Sequence, residues 1–308
     1  MVALGLAAAS APAWAQATDP PRVLGSNIRD QATAVLSLMS YTIVPDVTTS
    51  SLSMSNTSTG NPSLLMTQLG GGFTVSRDAP VYLEGNAAYT RFDPRFLVSS
   101  GTEQREVPTR WNSVTLTVGV GWDFPLARDL VLRPILMYSA GRVASDLSVG
   151  AWYIERNSKS ELSFLDGGSM EARGGGASLM LDFERARPER DTDLEIRYSQ
   201  LRLSTHSDNE EMNTTVTAKS LNIWGRLRTP TGYVVLDRPL RSVLELTHSN
   251  FLGGQAGDTG FNALTSLGVG MEVDLTAYEQ FVTRARAVVR YLRGSSVEGW
   301  SLGLAVSF

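Results

Sequence analysis

Strict alternation of apolar residues with small or polar ones is the feature that most constrains the fold of this chain. Between positions 113 and 124 every second residue is apolar, namely Val114, Leu116, Val118, Val120, Trp122 and Phe124. Successive side chains of a β-strand point to opposite faces, so this period of two predicts a strand with one wholly apolar face. A soluble antiparallel sheet gives the same pattern, and repetition along the chain distinguishes the two cases.

The alternation recurs along most of the sequence and predicts about twelve strands, counting a weaker first strand near residues 47–56. An even number suits a bacterial membrane barrel, whose strands run alternately up and down. After Leu194 the apolar parity changes at Leu201, which predicts a β-bulge near Ser199 and Gln200. The expected fold is all-β: a transmembrane antiparallel β-barrel over residues 46–308, preceded by a short helix.

The predicted connections alternate in length. Short turns such as 77–80, 125–129 and 185–191 alternate with longer links such as 93–110 and 141–168, and residues 229–238 form a turn of intermediate length. Outer-membrane barrels combine short periplasmic turns with longer external loops. The longest uncharged run, 47–76, is too polar for a transmembrane helix. These features predict location in the bacterial outer membrane.

Charged residues follow the opposite parity from the apolar ones. A charge that faces hydrocarbon costs about 2–4 kcal/mol near the bilayer midplane, so these side chains are expected to face the lumen. They can brace the lumen as ion pairs or select ions in a pore, and the mixed signs favour bracing. The residues are Glu84, Asp123, Arg133, Asp182, Glu184, Glu195, Arg197, Arg226, Glu245, Glu272, Asp274, Arg284, Arg286 and Arg290.

The N-terminal residues 1–15 carry no charge and end in Ala13-Trp14-Ala15. Small residues at these spacings form a signal-peptidase site, so we expect cleavage after Ala15 and export of the mature chain. A buried apolar helix is the alternative. Residues 16–45 then form an N-terminal segment ahead of the barrel.

A helix is predicted over residues 26–40, where the period changes from two to that of an amphipathic helix. Asn27 can cap its start, and Pro45 follows its end. The apolar stripe consists of Ile28, Ala32, Val35, Leu36 and Met39.

The run from Arg29 to Tyr41, followed by Val44 to Ser50, is similar to the start of the solitary outer-membrane autotransporter-like β-barrel domain family. The resemblance implies a translocator-like barrel without a passenger, with the helix as a luminal plug. The last strand resembles the C-terminal signal of outer-membrane barrels, which implies the barrel-assembly machinery as a partner beside outer-membrane lipids. The signal residues are Trp300, Leu302, Leu304, Val306 and Phe308.

Two glycine runs, 70–72 and 174–176, interrupt the strands. Strand glycines mark a place where another backbone passes closely or where the strand bends. Both explanations fit the sequence.

Candidate catalytic groups are few. His248-Ser249-Asn250 resembles the His-x-Ser-Asn stretch of outer-membrane phospholipases and lipid A deacylases, but here His and Ser are adjacent. Adjacent strand residues face opposite sides, so the base cannot activate the hydroxyl. His206, with the acidic residues that follow it, resembles the rim of omptin-type proteases but lacks convincing opposing aspartates. We expect no catalytic residue.

Composition excludes several further kinds of functional site. The chain has 308 residues, no cysteine, two histidines and a net charge of −4. These values argue against zinc–thiolate and iron–sulfur sites and against nucleic-acid binding, and neither a metal nor a cofactor is expected. Three functions remain: a non-enzymatic autotransporter-like scaffold, an open porin for small solutes, and, with least support, an outer-membrane lipid hydrolase or protease.

Overall fold

The chain was analysed in a computed structural model that describes residues 22–24, 49–56, 64–92, 95–100, 103–108, 111–145, 169–206, 213–235, 237–252, 262–275, 284–294 and 297–307. Among these residues no helix has the length and apolar character needed to cross a membrane. The predicted signal peptide and the predicted helix 26–40 lie outside the described residues.

The described residues form sixteen strands. They are β1 (Arg22–Leu24), β2 (Thr49–Asn56), β3 (Leu64–Thr74), β4 (Val81–Phe92), β5 (Arg95–Ser100), β6 (Glu103–Pro108), β7 (Trp111–Trp122), β8 (Phe124–Ala127), β9 (Leu130–Ser145), β10 (Ser169–Ala186), β11 (Asp191–His206), β12 (Thr215–Val235), β13 (Arg238–Leu252), β14 (Ala263–Asp274), β15 (Arg284–Gly294) and β16 (Val297–Ser307).

Twelve of these strands make a continuous antiparallel ring. The pairing follows chain order from β2 through β3, β4, β7, β9 and β10 to β16, and β16 pairs with β2. Short β8 adds to β9, while β1, β5 and β6 form a separate small sheet. Each ring strand is paired on both sides, which removes exposed sheet edges. The predicted all-β fold and the count of about twelve strands are confirmed.

The barrel has two distinct ends. One end carries the short connections, such as 75–80 and 187–190, and is called the turn end. The other carries the longer links between ring strands, including the β5–β6 hairpin, and is called the loop end. The hairpin shows that the predicted link 93–110 contains paired structure of its own.

The predicted bulge near Ser199 and Gln200 is wrong. Strand β11 pairs with β10 from Asp191 to His206 without a register shift, and its pairing with β12 is equally regular. Leu201 and Leu203 are buried because they face inward. The apolar parity changes because the inner wall itself becomes apolar near the loop end.

The predicted turn at residues 229–238 is largely strand. β12 and β13 extend through it, with a register shift between Pro230 and Val234. Gly232 has a φ of +79° and Asp237 a φ of +59°, in the left-handed region that glycine adopts freely and aspartate adopts occasionally. The predicted link 141–168 is also shorter, because β9 continues to Ser145.

The pairs between ring strands differ in length. β10 and β11 pair over sixteen positions, from Glu171 to Ala186. β16 and β2 pair over eight positions, and β2 and β3 over only five, from Ser50 to Met54. The shortest pairing therefore adjoins the place where the ring closes.

The outer wall is apolar. Leu116, Leu136 and Val269 have exposed fractions of 56%, 69% and 61%, whereas Thr117 and Ile135, next to them in sequence, are buried. Exposed aromatic side chains lie near strand ends, at Phe73, Trp122, Phe124 and Trp300. A band of this kind is what a hydrocarbon environment requires of a barrel.

Candidate functional site: the barrel lumen

The lumen is where side chains from distant strands meet. Glu84 on β4 and Arg197 on β11 are four places apart in the ring, yet their side chains are hydrogen-bonded. Such a contact is possible only across the inside of the barrel. Alternation along each strand then places the other charged residues of the same parity on the inner wall.

Arg197 and Glu84 form a two-pronged ion pair. Arg197 Nη1 donates to Glu84 Oε2 at 2.8 Å and Nη2 donates to Oε1 at 2.6 Å. Arg197 Nη2 also donates to Ser178 Oγ at 3.0 Å. Both charged side chains are buried, at 2% and 1% exposure. Paired charged hydrogen bonds of this kind fix the geometry of both side chains.

A second group surrounds Arg133 on β9. This guanidinium donates to Asp182 Oδ2 at 3.0 Å and from Nη2 to Asp123 Oδ2 at 3.1 Å. It also lies over the ring of Tyr82, 3.9 Å from the ring centre. The carboxylates and the aromatic face together surround one buried cation.

A third group begins on β11 and β12 near the turn end. Asp193 binds Arg226 at 2.6 Å and Arg228 at 3.1 Å. Asp191 pairs with Arg241 and lies 3.6 Å from Arg284 on β15. The latter contact again joins strands that are not neighbours in the ring.

The same group continues across β14 and β15. Glu272 lies 3.3 Å from Arg286 and 3.5 Å from Arg228. Glu245 binds Arg290 at 2.6 Å. Arginines and carboxylates thus alternate around this part of the inner wall, and nearby opposite charges compensate each other.

Eleven of the fourteen charged residues predicted to face the lumen occur in these ion pairs. Of the other three, Glu184 and Glu195 line a cavity with several of them, and Asp274 lies opposite Arg284 in register. The eleven are Glu84, Asp123, Arg133, Asp182, Arg197, Arg226, Glu245, Glu272, Arg284, Arg286 and Arg290.

Sequence reasoning missed four participants: Asp191, Asp193, Arg228 and Arg241. Asp193 has the parity of Glu195, and Arg228 has the parity of Arg226, so extending the pattern would have found both. Asp191 was assigned to a turn, whereas it is the first residue of β11.

The turn-end half of the lumen contains a cavity of about 540 Å³. Its lining mixes Arg133, Arg197 and Arg226 with Asp182 and Glu195. Charges of both signs in comparable number give it no strong preference for cations or anions.

The loop-end half of the inner wall differs sharply. Val143, Met170, Leu201, Leu203 and Val216 are buried there and belong to one apolar cluster. No inner-wall position in this half carries a charge, among the side chains that the structure describes. The lumen therefore changes along its axis from a charged wall to an uncharged one, in which this apolar cluster lies beside buried hydroxyls such as those of Ser113, Thr115 and Thr205.

Glycines on the inner wall leave room for long side chains. A Cβ atom on Gly119 would lie 2.6 Å from Glu84 Cγ, and one on Gly268 would lie 2.8 Å from Arg290 Cγ. Cβ atoms on Gly174 and Gly176 would overlap backbone atoms of β11, the paired neighbour. Close approach of the β11 backbone therefore accounts for the glycines at positions 174 and 176.

The two histidines lie on different strands, His206 on β11 and His248 on β13. His248 Nδ1 lies 2.8 Å from Thr265 Oγ1. Ser249 belongs to the opposite face of the same regular strand. His206 lies opposite Glu171 in register, and the acidic residues 208–211 fall outside the described residues. No group of three metal-binding side chains occurs among those that are described.

Comparison with known proteins bears on the fold. No family model matches the chain, and no curated protein is detectably similar in sequence. The transport unit of the autotransporter AIDA-I from Escherichia coli is 12% identical over 92% of this chain and 100% of its own, with a TM-score of 0.50.

The chain has the fold of an outer-membrane β-barrel. The predicted resemblance to an autotransporter-like barrel is confirmed at the level of the fold. The translocator domain of NalP from Neisseria meningitidis is 13% identical, with 91% and 98% of the two chains covered and a TM-score of 0.46. The KdgM porin is 9% identical, with 85% and 99% covered and a TM-score of 0.37.

Proposed function

We propose that this outer-membrane β-barrel is a non-enzymatic, autotransporter-like scaffold whose lumen is closed by its own side chains. The observation that carries the proposal is the ion pair between Arg197 and Glu84, which crosses the lumen and is almost completely buried. Water in an open channel would reach these side chains. Their burial supports a lumen that is closed at this ion pair, next to the charged cavity, in place of a conducting one.

The remaining luminal charges support the same proposal. A pore that selects ions needs charges accessible to the passing ion, whereas these carboxylates are mostly bound by arginines. The geometry suits bracing of the wall. The predicted helix 26–40 adds a plug from the chain's own N-terminal segment in this proposal.

The proposed surroundings are the lipids and the assembly machinery of the bacterial outer membrane. Trp300, Leu302 and Leu304 expose more than half of their surface on the outer wall, as the C-terminal signal requires. The signal continues to Val306 and Phe308. Cleavage after Ala15 belongs to the same proposal, because export must precede assembly.

The absence of enzymatic function is also proposed. Its support is the separation of His248 and Ser249 onto opposite faces of β13. Lipid or peptide hydrolysis by the purified barrel that disappears in His206→Ala and His248→Ala would contradict it.

Single-channel conductance in planar bilayers tests the closed lumen. Residues 16–308 are expected to give no steady current, whereas Glu84→Ala with Arg197→Ala opens a path and gives measurable conductance. The matched control is Asp129→Ala with Arg185→Ala, which removes a partly exposed pair at the turn-end rim. This control should remain silent.

A shorter chain beginning at Val44 tests the plug separately. Conductance that appears only in this form assigns closure to residues 16–43. Steady conductance of the unaltered barrel would overturn the proposal and favour the porin alternative, with the charged cavity as its solute pathway.

A further inference from the structure

A row of four basic side chains lies on the outer wall of the barrel near the loop end. The basic row consists of Arg142 on β9, Arg173 on β10, Arg202 on β11 and Lys219 on β12, which are consecutive strands of the ring. The three arginines are exposed, and Lys219 is half-buried. All four have the parity of the outer wall.

The basic row lies immediately beyond the apolar band. On β9 the outward residues run from Tyr138, which is exposed, through Ala140 to Arg142. On β11 they run from Tyr198 through Gln200 to Arg202. The basic groups therefore lie at the level where hydrocarbon gives way to headgroups.

The strand register keeps the four groups together. Arg142 is opposite Glu171 and therefore diagonal to Arg173. Arg202 is opposite Gly175 and likewise diagonal to Arg173, while Lys219 is diagonal to Arg202. Each diagonal step combines about 4.8 Å between strands with two residues along them, so the row runs obliquely over roughly 25 Å of the wall.

Among the described residues, the four basic side chains outnumber the one carboxylate that lies between them on the outer wall, that of Glu171. None of the four forms an ion pair with a described carboxylate, although Glu171 lies among them. Arg185, near the turn end, instead binds Asp129 at 2.7 Å. The buried arginines of the lumen have carboxylate partners as well. The excess of positive charge here calls for an external anion.

We propose that the basic row binds the phosphate groups of anionic lipid in the leaflet at the loop end. Guanidinium groups donate paired hydrogen bonds to phosphate, and the height of the row matches a headgroup. Basic side chains near an anionic leaflet each strengthen binding. The inference rests on the proposed membrane placement, and it adds an oriented lipid contact on one side of the barrel, formed by β9 to β12.

The test uses the full mature chain in phosphatidylcholine nanodiscs and a diphosphorylated glucosamine lipid as the probe. Arg173→Gln with Arg202→Gln is expected to weaken binding about thirtyfold. Arg91→Gln with Arg293→Gln is the matched control, because it removes two outward arginines on β4 and β15, away from the row. The control should change binding less than threefold.

Three outcomes would overturn the assignment: equal losses in the two double variants, undiminished binding of the dephosphorylated lipid, or equally tight binding of inorganic phosphate. The last would indicate a site for a free anion. Insertion into phosphatidylcholine bilayers is measured separately by electrophoretic mobility with and without heating. Failure to insert there would contradict the membrane placement itself, whereas insertion without probe binding contradicts only the lipid contact.

Discussion

At the scale of single residues, Arg197 shows that each buried charge in the lumen is stabilised by a partner of opposite charge. Its guanidinium is buried with Glu84, Ser178 and Met137 around it. Removing one member of a buried ion pair leaves the other charge without compensation. Replacing both members removes that penalty.

We therefore expect Glu84→Gln to destabilise the barrel more than Glu84→Gln combined with Arg197→Met. The single change should lower the free energy of unfolding by about 3–5 kcal/mol, and the double change by clearly less. Urea unfolding of the refolded barrel measures both values. Equal losses in the two variants would show that the pair contributes no coupling.

Gly119 is a second residue whose role depends on its neighbour. Its missing side chain provides the space taken by Glu84 Cγ. Gly119→Val is expected to displace Glu84 and destabilise the barrel by about 1–3 kcal/mol, as overpacking does. Gly71→Val is the control because no atom lies within 4 Å of a Cβ there. The same unfolding assay compares them, and matching losses would refute steric conflict at Gly119.

Much of this residue-scale arrangement could be predicted, but not all of it. Parity alone placed Glu84 and Arg197 on one face, because a charge on the other face would meet hydrocarbon. Their pairing with each other could not be predicted, since it depends on curvature that brings β4 and β11 together. Asp191 was missed for a simpler reason: a turn residue and a first strand residue look alike in sequence.

At the scale of elements, β11 shows the limit of the alternation rule. The rule assumes one apolar face and one polar face along the whole strand. Leu201 and Leu203 break it because the inner face of β11 changes from charged to apolar at these positions, and this change has the same sequence pattern as a bulge. Outward residues such as Leu194 and Tyr198 follow the rule because the surroundings of the outer wall do not change between these positions.

The outer wall gives an element-scale prediction on β7. Val118→Arg places a charge in the middle of the apolar band and should cost about 2–4 kcal/mol, whereas Asn112→Arg near the loop end should cost about 0–1 kcal/mol. Unfolding from lipid vesicles measures both. Equal costs at the two depths would contradict a hydrocarbon layer centred on the middle of β7.

At the scale of the whole molecule, the ring closes next to its shortest pairing. β2 has five paired positions with β3 and eight with β16. A cross-link between Leu302→Cys and Ser51→Cys, which are opposite in register, would span this joint. Native cysteines are absent and cannot interfere.

We expect this cross-link to stabilise the barrel by roughly 2 kcal/mol more than one between Ala177→Cys and Gln200→Cys on β10 and β11. The first closes a far longer loop of chain, so it removes more entropy from the unfolded state. Urea midpoints under oxidising and reducing conditions give both values. A larger effect from the second bond would contradict the loop-length argument.

Because β16 pairs with β2, the ring can close only in a chain that includes β16. Any chain that stops before Val297 leaves β2 and β15 with open hydrogen-bonding edges. Open edges of this kind promote pairing with other chains, and addition of β16 pairs both of them. The strand order therefore prevents closure of the ring until β16 has been synthesised.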